Sequence, residues 1–151
     1  MAYTTIDNPE LYFQTELWTG DQSENARTLD GSEDMQPDFV WIKGRSFTDT
    51  GGLFDSVRGA TKQLIPSGTA AQSTVAQSLK SFDSDGFTVG TESALNKSSN
   101  GMVAWCWKES VASGLDILTY TGNATARTIA HNLSVKPNFI LVKKQSASGG
   151  S

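Results

Sequence analysis

Histidine and cysteine carry much of protein chemistry near neutral pH, and this sequence of 151 residues has one of each, His131 and Cys106. A lone histidine gives a catalytic triad or a multi-histidine metal site little to draw on, and a lone cysteine forms neither an intrachain disulfide nor a thiolate cluster. Cys106 lies between Trp105 and Trp107 on an alternating strand, the setting of a small buried thiol and not of a nucleophile. Carboxylates are plentiful, with Glu33 beside Asp34 and Asp83 near Asp85. A glycosidase needs such a pair ~5–9 Å apart across a sugar, but both local groups read first as solvated turns. Asp83-Ser84-Asp85-Gly86 has the opening of a calcium loop without the remaining ligands, so a hairpin turn is expected there. No glycine-rich phosphate loop is present. No enzyme activity, cofactor or metal is expected.

Aromatic side chains are the other candidates, because an exposed ring stacks on a sugar. Trp41, Trp105 and Trp107 lie in runs that read as core. Trp18 stands beside Thr19-Gly20, and Tyr120 stands beside Thr121-Gly122, so this pair is kept as the candidate ligand-binding set.

Those side chains must be positioned by short strands. Hydrophobic residues make up 37% and charged residues 19%, with Gly, Ser and Thr filling the gap, a balance that suits many strands and turns better than amphipathic helices. Strand-type runs occur at Leu11–Gly20, Asp38–Lys43, Leu53–Val57, Lys62–Ile65, Met102–Lys108, Leu115–Tyr120, Arg127–Leu133 and Phe139–Lys143. Asp38–Lys43 reads as a strand buried on both faces. In Met102–Lys108 the bulkier set, Val103, Trp105 and Trp107, is expected to face the core. Phe82 and Phe87 flank one hairpin turn, and Asn100-Gly101 marks another. Ser67–Ser81 forms either one short helix or a surface loop. The expected fold is all-β, two antiparallel sheets packed as a β-sandwich or jelly roll.

The net charge of −4 and scattered basic residues leave no footprint for nucleic acid. No apolar run approaches the ~20 residues that span a bilayer, and Met1–Asn8 lacks the build of a signal peptide. Synthesis in a cytoplasm is expected, with no membrane partner.

The chain also repeats itself. Ala26-Arg27-Thr28-Leu29 returns as Ala126-Arg127-Thr128-Ile129, Pro37–Lys43 returns as Pro137–Lys143, and Ser46 returns as Ser146, all at an offset of one hundred. Trp18-Thr19-Gly20 matches Tyr120-Thr121-Gly122 at an offset two larger, which places a two-residue deletion in the turn between. Over the 21 aligned pairs from Ala26 about a third are identical, and order, spacing and substitution type agree. Residues 1–110 are therefore expected to form one β-sandwich module. Residues 115–151 would be an incomplete second repeat, or strands added to the first module. Pro37–Lys43 and Pro137–Lys143 should occupy equivalent buried strands, and strand edges at the second unit would pair with a neighbouring chain.

The pieces Tyr12–Gly20, Gln36–Ser46, Leu53–Lys62, Phe82–Gly90 and Val103–Lys108 resemble a repeat module of tailed bacteriophage virion proteins, frequent in phages of marine bacteria and cyanobacteria. Leu115–Asn123 and Arg127–Lys144 resemble the unit that follows it in longer members. The resemblance implies a lectin-like sandwich within a tail fibre or related appendage, located in the virion. It implies partners in copies of itself, as a homo-oligomer such as a trimer, and in other virion proteins. Starting at Met1 and stopping inside a second unit, the chain reads as the base of something longer. The alternative function is a carbohydrate-binding module that recognises a host surface glycan.

Overall fold

Short β-branched and aromatic runs broken by glycine and polar turns give nine strands, which we describe from a computed structural model covering residues 6–146. The expectations for Met1–Thr5 and for the tail Ala147–Ser151 lie outside the described residues. A one-turn 3-10 helix at Pro9–Leu11, capped by Asn8, leads into β1 (Phe13–Thr19). Then come β2 (Asn25–Arg27), β3 (Phe39–Gly44), β4 (Gly52–Asp55), β5 (Lys62–Gln63), β6 (Ser73–Thr74), β7 (Leu79–Asp83) and β8 (Gly86–Val89). A one-turn helix α1 (Ser93–Asn96) precedes β9 (Gly101–Trp107). All the pairings are antiparallel, so the all-β expectation holds as a set of antiparallel sheets.

The largest sheet has the order β1-β9-β3-β4, which puts the last strand of the sequence second in the sheet, between the first and third. A three-stranded sheet runs β2-β8-β7, and β5-β6 forms a small ribbon bridged to β4 through Leu53 and Leu64. Val40, Ile42, Phe54, Met102, Ala104 and Cys106 of the large sheet pack with Leu79, Phe87 and Val89 of the smaller one in a single apolar core. Phe82 and Phe87 pair across the β7–β8 hairpin, as their spacing around Asp83–Gly86 predicts. Ser84 and Asp85 keep negative φ while Gly86 stands at +106°, so the glycine closes the turn. A Cβ at Gly86 would also lie 1.9 Å from the Arg27 carbonyl oxygen, which leaves room for no other residue. Ser67–Ser81 follows the loop alternative, with only β6 and the start of β7 inside it.

Two expectations about faces are corrected. In β9 the inward side chains are Met102, Ala104 and Cys106, all with no exposed area, while Trp105 and Trp107 point outward and are half-buried. The inward face packs in the shared core with Phe54, Leu79 and Phe87, whose bulk fills the space that indoles would need. Likewise β3 is buried on one face only: Val40 and Ile42 face the core, and Trp41 is 37% exposed on the other side.

The second repeat folds differently from the first. Among the described residues beyond Trp107, the one ladder contact is the Ser110–Leu115 bridge, and no strand forms at 115–120, 127–133 or 139–143. Phe139, Ile140, Leu141 and Val142 are exposed by 61–81%. The expectation that Pro137–Lys143 is a buried strand like Pro37–Lys43 is therefore not met. The sheet order supplies the reason: β3 pairs with β9 and β4, and β1 pairs with β9. Residues 115–146 contain counterparts of β1 and β3 but no counterpart of β9.

Candidate functional site

The two candidate ligand residues occupy matched positions with opposite exposure. Trp18 ends β1 on its core side and is 7% exposed, with its ring edge-on to Phe87 at 6.0 Å. Its Nε1 donates to Asn96 Oδ1 at 3.1 Å, and the Arg27 guanidinium lies 5.5 Å from its ring centre. Asn96, buried at the end of α1, is the hub of this corner. Its Oδ1 also accepts from the Asp21 backbone N–H, and its Nδ2 donates to Asp21 Oδ1, the Ser23 carbonyl and the Gly90 carbonyl. Tyr120 is 51% exposed, yet it repeats the same stack: the Arg127 guanidinium lies 5.4 Å from its ring centre and donates to the Thr121 carbonyl. Around that stack Tyr120, Asn123, Thr125, Arg127 and Ile129 line an open concavity of about 330 Å³. No ring contact joins Trp18 to Tyr120, so the pair forms two local sites and not one.

A third arrangement was concealed by the expectation that the tryptophans are core. Register places Phe13, Trp107 and Phe39 in one row across β1, β9 and β3, with Trp105 and Trp41 in the next. The rings touch: Phe13 to Trp107 at 5.1 Å, Phe39 to Trp107 at 5.3 Å and Trp41 to Trp105 at 5.5 Å. Leu17 and Val103 extend the face, and Lys43 at its border is tied off by donating to the Asp49 carbonyl. Alternation along three adjacent strands is the signal that could have found this face, once the core side of β9 was assigned.

At the β4 edge the face meets a buried ion pair. Arg58 Nε is 2.5 Å from Asp55 Oδ2, and both side chains are over nine-tenths buried. The Arg58 guanidinium also donates to the carbonyls of Lys62 and Leu53 and to Gln72 Oε1. This explains the L-F-D-S-V-R-G piece of the sequence: the charges fix the turn after β4 rather than present a basic surface.

The remaining titratable groups sort into separate settings. Cys106 is fully buried as expected, and desolvation, with the nearby Glu16 carboxylate adding, pushes its thiol up to about 12. Glu16 itself is raised, mainly by burial, with Arg27 opposing and Asp30 reinforcing the shift. Glu109 and Asp116 line the same shallow groove. Burial raises Glu109, while hydrogen bonds from Asn132, the backbone N–H foremost, lower Asp116. Asp83 and Asp85 serve their turn, Asp83 accepting from Ser81 and Thr88 and Asp85 from the Met35 N–H. His131 is exposed near Asp116. Among the described residues no group of three or more His, Cys, Asp or Glu side chains is placed to hold a metal ion, and no helix is long and apolar enough to cross a membrane.

A family model described as a domain of unknown function, DUF7483, matches residues 8–150, and the chain belongs to that family. No curated protein and no solved structure matches it.

Proposed function

We propose that this DUF7483 chain is a non-catalytic structural module of a tailed-phage virion, part of a tail fibre or related appendage that works by self-association and docking. The observation that carries the reading is the aromatic–arginine stack built twice, at Trp18 with Arg27 and at Tyr120 with Arg127. A local unit repeated along one chain is how extended structural proteins are assembled, each unit burying apolar surface against the next. The resemblance to phage repeat modules supports the same reading. In it the four- and three-stranded sheets are the two layers of a lectin-like sandwich, and the partners are copies of the chain and other virion proteins. The test is to locate the protein in purified particles by immunogold labelling or reconstruction. Detection at an appendage is expected; its absence from the virion would overturn the reading.

The second reading, recognition of a host glycan, is favoured by one observation, the exposed Tyr120 ring in its concavity. Glycan-array binding that Tyr120→Ala abolishes would support it, and an array with no signal would remove it.

A further inference from the structure

We infer that the open concavity at Tyr120 is a docking site for a protein segment of the α1-to-β9 kind, a one-turn helix that presents an asparagine and leads into a strand. The inference rests on the structural-module reading and makes its docking specific. The first unit shows what such a corner holds. Asn96 of α1 fills the space beside Trp18, accepting from the indole and from the Asp21 N–H, and donating to Asp21 and to the Ser23 carbonyl. The backbone of the same segment closes over the Thr-Gly turn. Gln22 N–H donates to the Asn96 carbonyl at 2.9 Å, and Gly20 N–H donates to the Asn100 carbonyl at 2.8 Å.

The second unit builds the receiving half of that corner and leaves it open. Its aromatic–arginine stack is reproduced down to the turn enclosed by it. Gln22 and Ala124 both stand at positive φ, 57° and 58°. Ser23 N–H donates to Asp21 Oδ1 at 2.9 Å, and Thr125 N–H donates to Asn123 Oδ1 at 3.2 Å. Residues other than glycine seldom adopt that φ, so the match puts the second turn in the shape that the first has when docked. The concavity of about 330 Å³ is lined by Tyr120, Asn123 and Thr125, the counterparts of the Trp18, Asp21 and Ser23 that Asn96 bonds. The Tyr120 hydroxyl offers a donor where the first unit has an indole N–H. The backbone amides of Gly122 and Ala124 meet no acceptor among the described residues.

The strand half of the segment has a place as well. In the first unit β9 lies between β1 and β3, with Cys106 opposite Val40 and Ala104 opposite Ile42. Leu29, Met35, Val40 and Ile42 of that core return as Ile129, Val135, Ile140 and Val142, apolar at every position. Of these, Val135, Ile140 and Val142 are exposed. A β9-type strand beside 139–143 would pair with that segment, setting small side chains next to Ile140 and Val142 on the core side and aromatic ones outward. Among the described residues the one such segment, Ser93–Trp107, is already held in the first unit, so a partner polypeptide brings the second.

Nuclear magnetic resonance of the full chain, labelled with nitrogen-15, tests this with a synthetic peptide of residues 91–108 kept reduced. A free peptide must be ordered as it binds, so the expected dissociation constant is weak, on the order of 100 µM. Saturable shifts at the Gly122, Asn123 and Ala124 amides are expected, with slower hydrogen exchange at Ile140 and Val142. A peptide carrying Asn96→Ala should bind at least tenfold more weakly. So should the normal peptide to a chain carrying Gly122→Ala. A Cβ there meets nothing within 4 Å in the free chain, whereas at the equivalent Gly20 it would strike the Lys97 carbonyl of the docked segment. No shift at about 1 mM peptide, equal binding by the Asn96→Ala peptide, or shifts confined to the first unit would overturn the inference. So would a glycan that occupies the concavity where the peptide does not, or docking seen only when residues 91–108 are appended to the chain itself. A chain found in virions that ignores the peptide would sink this site and spare the structural-module reading; peptide binding by a chain absent from virions would do the reverse.

Discussion

Phe39-Val40-Trp41-Ile42-Lys43 and Phe139-Ile140-Leu141-Val142-Lys143 are nearly the same words in two different settings. In the first, Val40 and Ile42 have no exposed area, because β9 and β4 flank the strand. In the second, Ile140 and Val142 are 71% and 66% exposed. The same contrast holds at the Thr-Gly turns. A Cβ on Gly20 would lie 2.3 Å from the Lys97 carbonyl oxygen, whereas one on Gly122 would meet nothing within 4 Å. Only the aromatic–arginine stack, which closes within about ten residues, forms in both. The difference teaches that short-range packing travels with the motif, while a strand depends on partners far along the chain. Here the most distant one, β9, is the central partner.

The largest effects should separate the two regions. Phe54→Ala empties a fully buried site and should cost about 3–5 kcal/mol in urea unfolding, while Phe139→Ala should stay within about 0.5 kcal/mol. A comparable loss at both positions would erase the distinction. Arg58→Met strands the buried Asp55 carboxylate and should cost about 3 kcal/mol, whereas Arg127→Met, which removes an exposed stack, should be near neutral. Asn96→Ala leaves the Trp18 indole N–H and several backbone groups of that corner without partners. A loss of about 2–3 kcal/mol in the same assay is expected.

The smallest effect is electrostatic. Burial first of all raises the Glu16 carboxyl, so the folded state holds that proton more tightly than the unfolded state. Stability from this group is full below the ordinary value of 4.5 and is lost as pH rises through the higher folded value. Glu16→Gln should therefore be at least as stable as the parent at pH 7 and should flatten that part of the profile, as melting temperatures across pH 4–8 would show. Cys106 supplies an internal reporter of folding. With its thiol buried and pushed up to about 12, labelling at pH 8 should proceed only at the rate of opening, and rapid labelling of native protein would contradict the core assignment.

Much of the first unit was legible from sequence because its signals are local. The β7–β8 hairpin follows from Asp83 to Gly86 between two phenylalanines, and the β3 strand follows from its β-branched and aromatic run. Faces were less legible. Bulk alone assigned the tryptophans of β9 inward, but which face of the strand joins the shared core is a tertiary matter. With Phe39 outward and half-buried, Phe39→Ala should cost about 1–2 kcal/mol, below what a core phenylalanine would lose. Trp18 and Tyr120 each lie against an arginine, yet sequence offered no sign that Asn96, 78 residues from Trp18, holds that indole in the core. The buried role of Arg58 was equally hidden, since its partner Asp55 and its acceptor Gln72 come together only when the turn after β4 closes.

Hydrogen exchange resolved to single amides compares the two copies of the motif directly. In native buffer the amides of Val40, Trp41 and Ile42 should exchange more slowly than those of Ile140, Leu141 and Val142 by a factor on the order of 10³ or more, the span between a core strand and an unpaired segment. Equal protection in both segments would mean that the second copy finds its strand partners in solution, and would contradict an account in which β9 is what makes the motif a strand.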